Sequence, residues 1–182
     1  MTHLHIFSNS NANDVLFESS EAGVIAQQLI DAGVQFEQWP LQHVDTDAID
    51  IQAAVLKAYD AAVSELKVSA GHQMADVISL AVDNPQKEEL RKKFLAEHTH
   101  AEDEVRFFVA GAGLFSLHIA DKVYVLECTA GDLINVPANT KHWFDMGANP
   151  QFTCIRLFTN PEGWVGHITG DTIADQYPRM ER

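Results

Sequence analysis

The stretch HTHAEDEVRFF, from His98 to Phe108, places two histidines two residues apart and a glutamate four residues after the second. In an extended chain, successive side chains point to opposite faces. His98, His100, Glu104 and Arg106 then share one face, while Val105, Phe107 and Val109 take the other, which suits packing. Two imidazoles and a carboxylate on one face can converge on a single ion. Such donors suit Fe, Ni, Mn or Zn, and not Mg or Ca, which prefer oxygen. The plainer alternative is a solvated polar loop, and a loop between His100 and Glu104 would break the strict alternation. The remaining histidines are read as structural. His3 and His5 repeat the H-x-H spacing, but Asn9 stands where a glutamate would be and no partner is evident. His43, His72, His118 and His167 stand isolated, His118 as a packed or edge residue of a strand.

A second run, GDLINVPANTKH, carries Gly131, Pro137, Asn139 and His142. Together the two runs resemble the paired motifs of the cupin family of small double-stranded β-helix barrels, over roughly residues 95–158. In that family the first motif supplies two His and a Glu and the second supplies one more His. The resemblance therefore implies a ligand set of His98, His100, Glu104 and His142. Two departures stand out. Lys92 occupies the place of the first motif's leading glycine, and Asn139 that of a glycine in the second. Asn tolerates positive φ better than other non-glycine residues, so the second change is physically cheap.

Four protein ligands leave about two positions of an octahedron for a chelating substrate. Strand alternation extends the site to Arg106, two residues after Glu104, and to Phe144, two after His142. Arg156 lies in a later strand-like run with Phe152 and Cys154. Guanidiniums beside a metal can hold an anionic, oxygen-rich substrate, and aromatic rings an apolar tail. A surface ion pair with one of the 26 acidic residues is the alternative for each arginine. The runs HTHAEDEVRFFVAGAGLFSLHI, VPANTKHWFDMG and IRLFTNPEGWV resemble the acireductone dioxygenase family of methionine salvage, most strongly over residues 88–168.

That resemblance implies one Fe(II) or Ni(II) per chain and a small-molecule substrate, 1,2-dihydroxy-3-keto-5-methylthiopentene, reacting with O2. Fe(II) gives 4-methylthio-2-oxobutanoate and formate; Ni(II) gives methylthiopropionate, formate and carbon monoxide. It maps substrate contacts onto Arg106, Arg156, Phe94, Phe144 and Trp164, with Arg106 as the catalytic stabiliser of anionic charge, and it implies a monomer. Other cupin chemistries are the rivals: a Zn isomerase, a Mn oxalate-type enzyme, or a barrel that only binds a small molecule.

The elements that must position these groups divide by period. Residues 20–32 place Ala22, Ile25 and Leu29 on one helical face, with Ser19 or Ser20 as cap and Gly33 past the end. Residues 47–67 read as one further amphipathic helix with a Val55, Tyr59, Ala62 and Leu66 stripe. Asn84-Pro85 opens a basic helix over 86–97, whose Arg91, Lys92 and Lys93 read as a solvated face. THLHIF, VQFEQW and ADVISLAV alternate as strands. From about residue 104, six short β-rich runs follow, nearly all punctuated by Gly, Asp, Asn or Pro, which suggests a barrel or jelly roll. The expected fold is mainly β, a cupin jelly-roll barrel with N-terminal helices. It forms one domain over 1–182, with helical and strand decoration over 1–90, the metal-binding core over 91–168 and a tail over 169–182.

A net charge of −14 argues against nucleic acid and anionic membrane as partners. No apolar run reaches membrane-spanning length and no secretory leader is legible, so a cytoplasmic protein is expected. Cys128 and Cys154 fall in apolar runs and read as buried thiols.

Overall fold

The computed structural model describes residues 1–45, 48–160 and 165–181. Its strands are β1 (His3–Ser8), β2 (Asn11–Ser19), β3 (Gln35–Gln38), β4 (Met74–Leu80), β5 (His98–Thr99), β6 (Glu104–Ile119), β7 (Lys122–Thr129), β8 (Asp132–Val136), β9 (Lys141–Asp145), β10 (Phe152–Phe158) and β11 (His167–Ile168). The helices are α1 (Ala22–Asp31), α2 (Ile51–Ala58), α3 (Asp60–Ala70) and α4 (Lys87–Leu95), with a 3-10 turn at Ile173–Gln176. None of these helices is long and apolar enough to cross a membrane.

Strand β6 organises the barrel. The runs EVRFFVAG and GLFSLHIAD, separate in the sequence reading, form one 16-residue strand. It turns at Gly111, whose φ is +76° and where a Cβ would lie 1.9 Å from the Gln151 carbonyl oxygen, so only glycine fits. The first half of β6 pairs with β10 and β8, and the second half with β7 and β9. One strand thus belongs to both walls. The outer positions of those walls are taken by segments far away in sequence: β4 on β10, β3 on β8, and β1 then β2 beyond β7.

Strand alternation then sorts the core. Phe108, Phe115, Leu117, Ile134, Phe144, Phe152 and Cys154 gather in one buried cluster with Leu4 and Ile6. The opposite side of the β10–β6–β8 wall, including Val105, Phe107, Leu133, Ile155 and Leu157, is covered by Val55, Tyr59 and Val63. The C-terminal segment also packs: Ile173, Ala174, Tyr177 and Met180 cover Phe7, Val123, Val125 and Trp143.

The structure corrects several sequence expectations. The helix expected over 47–67 is two, broken at Tyr59 (φ −108°, ψ 14°), and Val63 joins its buried face. No Gly or Pro marks the break; it lets the Tyr59 ring pack on Phe107 while its hydroxyl accepts from the Gln42 N–H. α4 begins at Lys87, with Asn84 Oδ1 accepting from Gln86 N–H ahead of it. Strand β2 had no sequence signal because it is a mostly exposed edge strand whose first residues are polar. α1 ends as expected, Gly33 N–H bonding Ile30 O and Val34 N–H bonding Leu29 O.

Candidate metal centre

Three backbone devices bring the histidines and Glu104 together. First, β5 pairs with β9 so that His98 and His142 are direct cross-strand partners. Second, β6 begins at Glu104, opposite Val136 at the end of β8, which sets the carboxylate beside the turn leading into β9. Third, that turn clasps the loop carrying His100. Asn139 N–H bonds the His100 carbonyl at 2.8 Å and Ala138 N–H bonds Asp103 Oδ1 at 2.9 Å. Asn139 adopts φ +63°, the left-handed conformation that the motif's glycine position demands.

The four side chains are buried, and one ligand-type atom from each lies within 4.8 Å of the others. Each imidazole Nδ1 faces a main-chain carbonyl: His98 with Ala96 at 2.7 Å, His100 with Val165 at 3.0 Å and His142 with Thr140 at 2.8 Å. A carbonyl can only accept, so each Nδ1 carries the proton and each Nε2 of a neutral ring presents a lone pair. His142 Nε2 and His100 Nε2 stand 2.9 Å and 3.2 Å from Glu104 Oε2. Burial alone would raise the Glu104 carboxyl. The Arg106 charge, with the His100 and His142 rings facing the carboxylate, outweighs that and holds it well below the usual carboxylate range. Burial, then the neighbouring His142, pushes His98 down to about 4. For His100, burial lowers the value, but the bond to Glu104 and its charge outweigh it and raise the net value. Lone pairs converging on one buried point require a cation. Three imidazoles and a carboxylate are a donor set for a divalent transition ion, and their Nδ1 bonds are the orienting contacts such ligands need.

Arg106 is 5% exposed, with Nε 2.6 Å from Glu104 Oε1. Its guanidinium lies over Phe144, Phe115 and Phe94 at 4.9, 5.4 and 6.0 Å from the ring centroids. Arg156 is its direct partner on β10, so both project from the same side of the wall. Arg156 binds Asp76 with two hydrogen bonds, of 2.9 and 2.6 Å, and lies over Phe158 at 5.2 Å. A cavity of about 620 Å³ opens onto this group. Lys93, Arg106 and Arg156 line it with Ile78, Leu90 and Phe94, and His98 and His100 reach it. Its lining thus combines cationic and apolar side chains.

Not every residue singled out in the sequence reaches this cavity. Phe144 is 2% exposed and lies beneath Arg106, outside the lining. Trp164 falls outside the described residues. The basic run of α4 is not simply solvated: Lys93 lines the cavity, and Arg91 binds the buried Asp145 with two hydrogen bonds. Sequence reasoning missed Lys93, Asp76 and Phe115. Only the α4 period could have pointed to Lys93, which sits next to Phe94. His118 is not isolated either, since Nδ1 is 2.9 Å from Glu97 Oε2. His3 and His5 also have a carboxylate partner, Glu18, supplied by the strand the sequence did not reveal.

A sequence model of the ARD/ARD' family matches residues 3–166. An acireductone dioxygenase of Citrobacter koseri is 55% identical over 180 residues, covering 99% of this chain and 99% of the relative. One of Hahella chejuensis is 51% identical over 182 residues, covering 100% of this chain and 97% of the relative. The solved structure of an acireductone dioxygenase from Bacillus anthracis, with a cadmium ion in its active centre, superimposes with a TM-score of 0.78. It is 30% identical and the match covers 91% of this chain and 97% of that one.

Proposed function

The chain belongs to the ARD/ARD' family, a family of cupin-fold, metal-binding dioxygenases, and from that premise we propose that it oxidises acireductone, 1,2-dihydroxy-3-keto-5-methylthiopentene, with O2 in methionine salvage. His98, His100, Glu104 and His142 are the proposed holders of one Fe(II) or Ni(II). The observation that carries this reading is the convergence of inward Nε2 lone pairs and an ionised carboxylate, with every Nδ1 engaged by a carbonyl. The cadmium ion in the Bacillus anthracis relative's active centre supports it.

An ion held by these four residues would supply Lewis-acid character and orient the substrate. The rest falls to this chain's own side chains. Arg106, fixed by Glu104 and three aromatic rings, presents positive charge where a substrate dianion gathers negative charge. Arg156 and Lys93 add charge along the cavity wall, while Ile78, Leu90 and Phe94 suit a methylthio tail. Phe94 is therefore a proposed substrate contact. Phe144 acts from beneath, by holding Arg106. Trp164 remains a proposed contact by family resemblance.

Fe(II)-loaded protein is expected to give 4-methylthio-2-oxobutanoate and formate, and Ni(II)-loaded protein methylthiopropionate, formate and carbon monoxide. The protein is proposed to work as a cytoplasmic monomer; its two buried free thiols suit a reducing compartment. Anaerobic reconstitution with each metal, followed by acireductone and O2, tests the reading through product identification by mass spectrometry. Only background oxidation in both fully loaded samples would remove the reason to assign this substrate.

A further inference from the structure

The geometry points to a second metal site, on the outer surface of the barrel wall, formed by His3, His5 and Glu18. Alternation puts His3 and His5 on one face of β1. In the antiparallel β1–β2 pair, His5 and Glu18 are direct partners, so Glu18 projects from that same face. Leu4 and Ile6, between and beyond the histidines, point the other way, into the buried cluster that contains Phe144. The β1 wall therefore separates this group from the centre holding His98, His100, Glu104 and His142.

Distances favour one small ion. His3 Nε2 and His5 Nε2 are 3.2 Å apart, and His5 Nε2 is 3.5 Å from Glu18 Oε2. Donors bound tetrahedrally to an ion at 2.0–2.1 Å stand about 3.3 Å from one another. All three donor atoms lie within 4.8 Å of one another. The outer nitrogen of His3, Nδ1, is 2.6 Å from Ser20 Oγ, a hydroxyl able to accept its proton and orient the ring as ligating imidazoles require. The His5 ring stacks on Phe7 at 5.8 Å with 25° between the planes, which limits its rotation. Two neutral imidazoles and one carboxylate select a borderline divalent ion such as Zn(II) over Mg(II) or Ca(II). Three protein ligands leave a fourth position open to water.

The competing account is a surface hydrogen-bonded triad with a protonated His5 paired to Glu18 and no ion. Metal counting separates the two. Protein loaded with Ni(II) at the buried centre is dialysed against micromolar Zn(II), and both elements are quantified per chain by plasma mass spectrometry. The expected result is one Zn(II) per chain in addition to the nickel in the wild type. His3→Gln and His5→Gln lose that zinc while keeping the nickel and the wild-type turnover, which also shows that they fold. Absence of zinc beyond the nickel in the wild type, or equal zinc uptake by both variants, would overturn the site.

Discussion

His98 and His142 are direct partners in the antiparallel pairing of β5 with β9, and their rings lie 4.5 Å apart. The pairing makes the fold and the candidate metal centre depend on one another, because an ion held by these residues would tie β9 to β5, and through Glu104 to β6. We expect His142→Ala to lose most of its bound metal under conditions that saturate the wild type. Chelation of the wild type should in turn lower its stability. An ion at a thousandfold excess over its dissociation constant contributes about 4 kcal/mol to the folded state. Metal content and thermal unfolding with and without chelator read both effects. Stoichiometric iron or nickel in His142→Ala would show that the residue is no ligand.

Arg106 acts on Glu104 as well as on the cavity, with its Nε 2.6 Å from a carboxylate oxygen. Arg106→Ala should therefore weaken metal binding by about 10–100-fold, as losses of an orienting partner do. Turnover should stay low even when metal is supplied to saturation. Arg106→Lys should not restore it, since an ammonium cannot reproduce the planar guanidinium over Phe144, Phe115 and Phe94. Wild-type kcat in metal-saturated Arg106→Ala would remove the proposed role.

Asp76 aims Arg156 through two hydrogen bonds and itself lines the cavity. Both side chains are partly exposed, so the pair adds no more than about 1 kcal/mol to folding. Its consequence should appear in substrate binding. We expect Asp76→Asn to raise KM by about tenfold, equivalent to ~1.4 kcal/mol, with kcat nearly kept. Steady-state kinetics at saturating metal checks this, and a fall in kcat with unchanged KM would contradict it.

How much of this was legible in the sequence depends on the range of the interaction. His98, His100 and Glu104 were legible because they are close in sequence, although the loop at residues 100–103 interrupts the alternation expected to group them. Asn139 was legible because positive φ restricts residue type at one position. The break at Tyr59 was not, because it follows from packing on Phe107 and not from a local helix breaker. Nor was the His3, His5 and Glu18 group, which needs β2. That strand lacks an alternating apolar pattern because it is largely solvent-exposed, and no sequence rule pairs Glu18 with His5. Arg91 looked solvated because its partner, Asp145, lies on another element.

Asp145 joins three elements through one buried carboxylate. It accepts two hydrogen bonds from Arg91 on α4, one from Gly147 N–H and one from Met180 N–H in the C-terminal segment. Burial alone would raise its pKa; Arg91 and the two amides outweigh burial and hold it below the ordinary aspartate value of 3.8. A carboxylate depressed in the folded state stabilises the fold above its unfolded value, and that contribution disappears as pH falls through the folded value. Asp145→Asn should thus cost about 3 kcal/mol near neutrality, since it breaks a largely buried ion pair and leaves Arg91 without its counter-charge. The gap to wild type should narrow as pH drops below 3.8, where the wild-type carboxylate also takes a proton. Because α4 carries Lys93 and Phe94 into the cavity, the variant should also raise KM for substrate. Denaturant unfolding across pH reads the first effect and kinetics the second. A stability gap that is constant from neutral to acid pH would show that the charge of Asp145 is not what holds α4 in place.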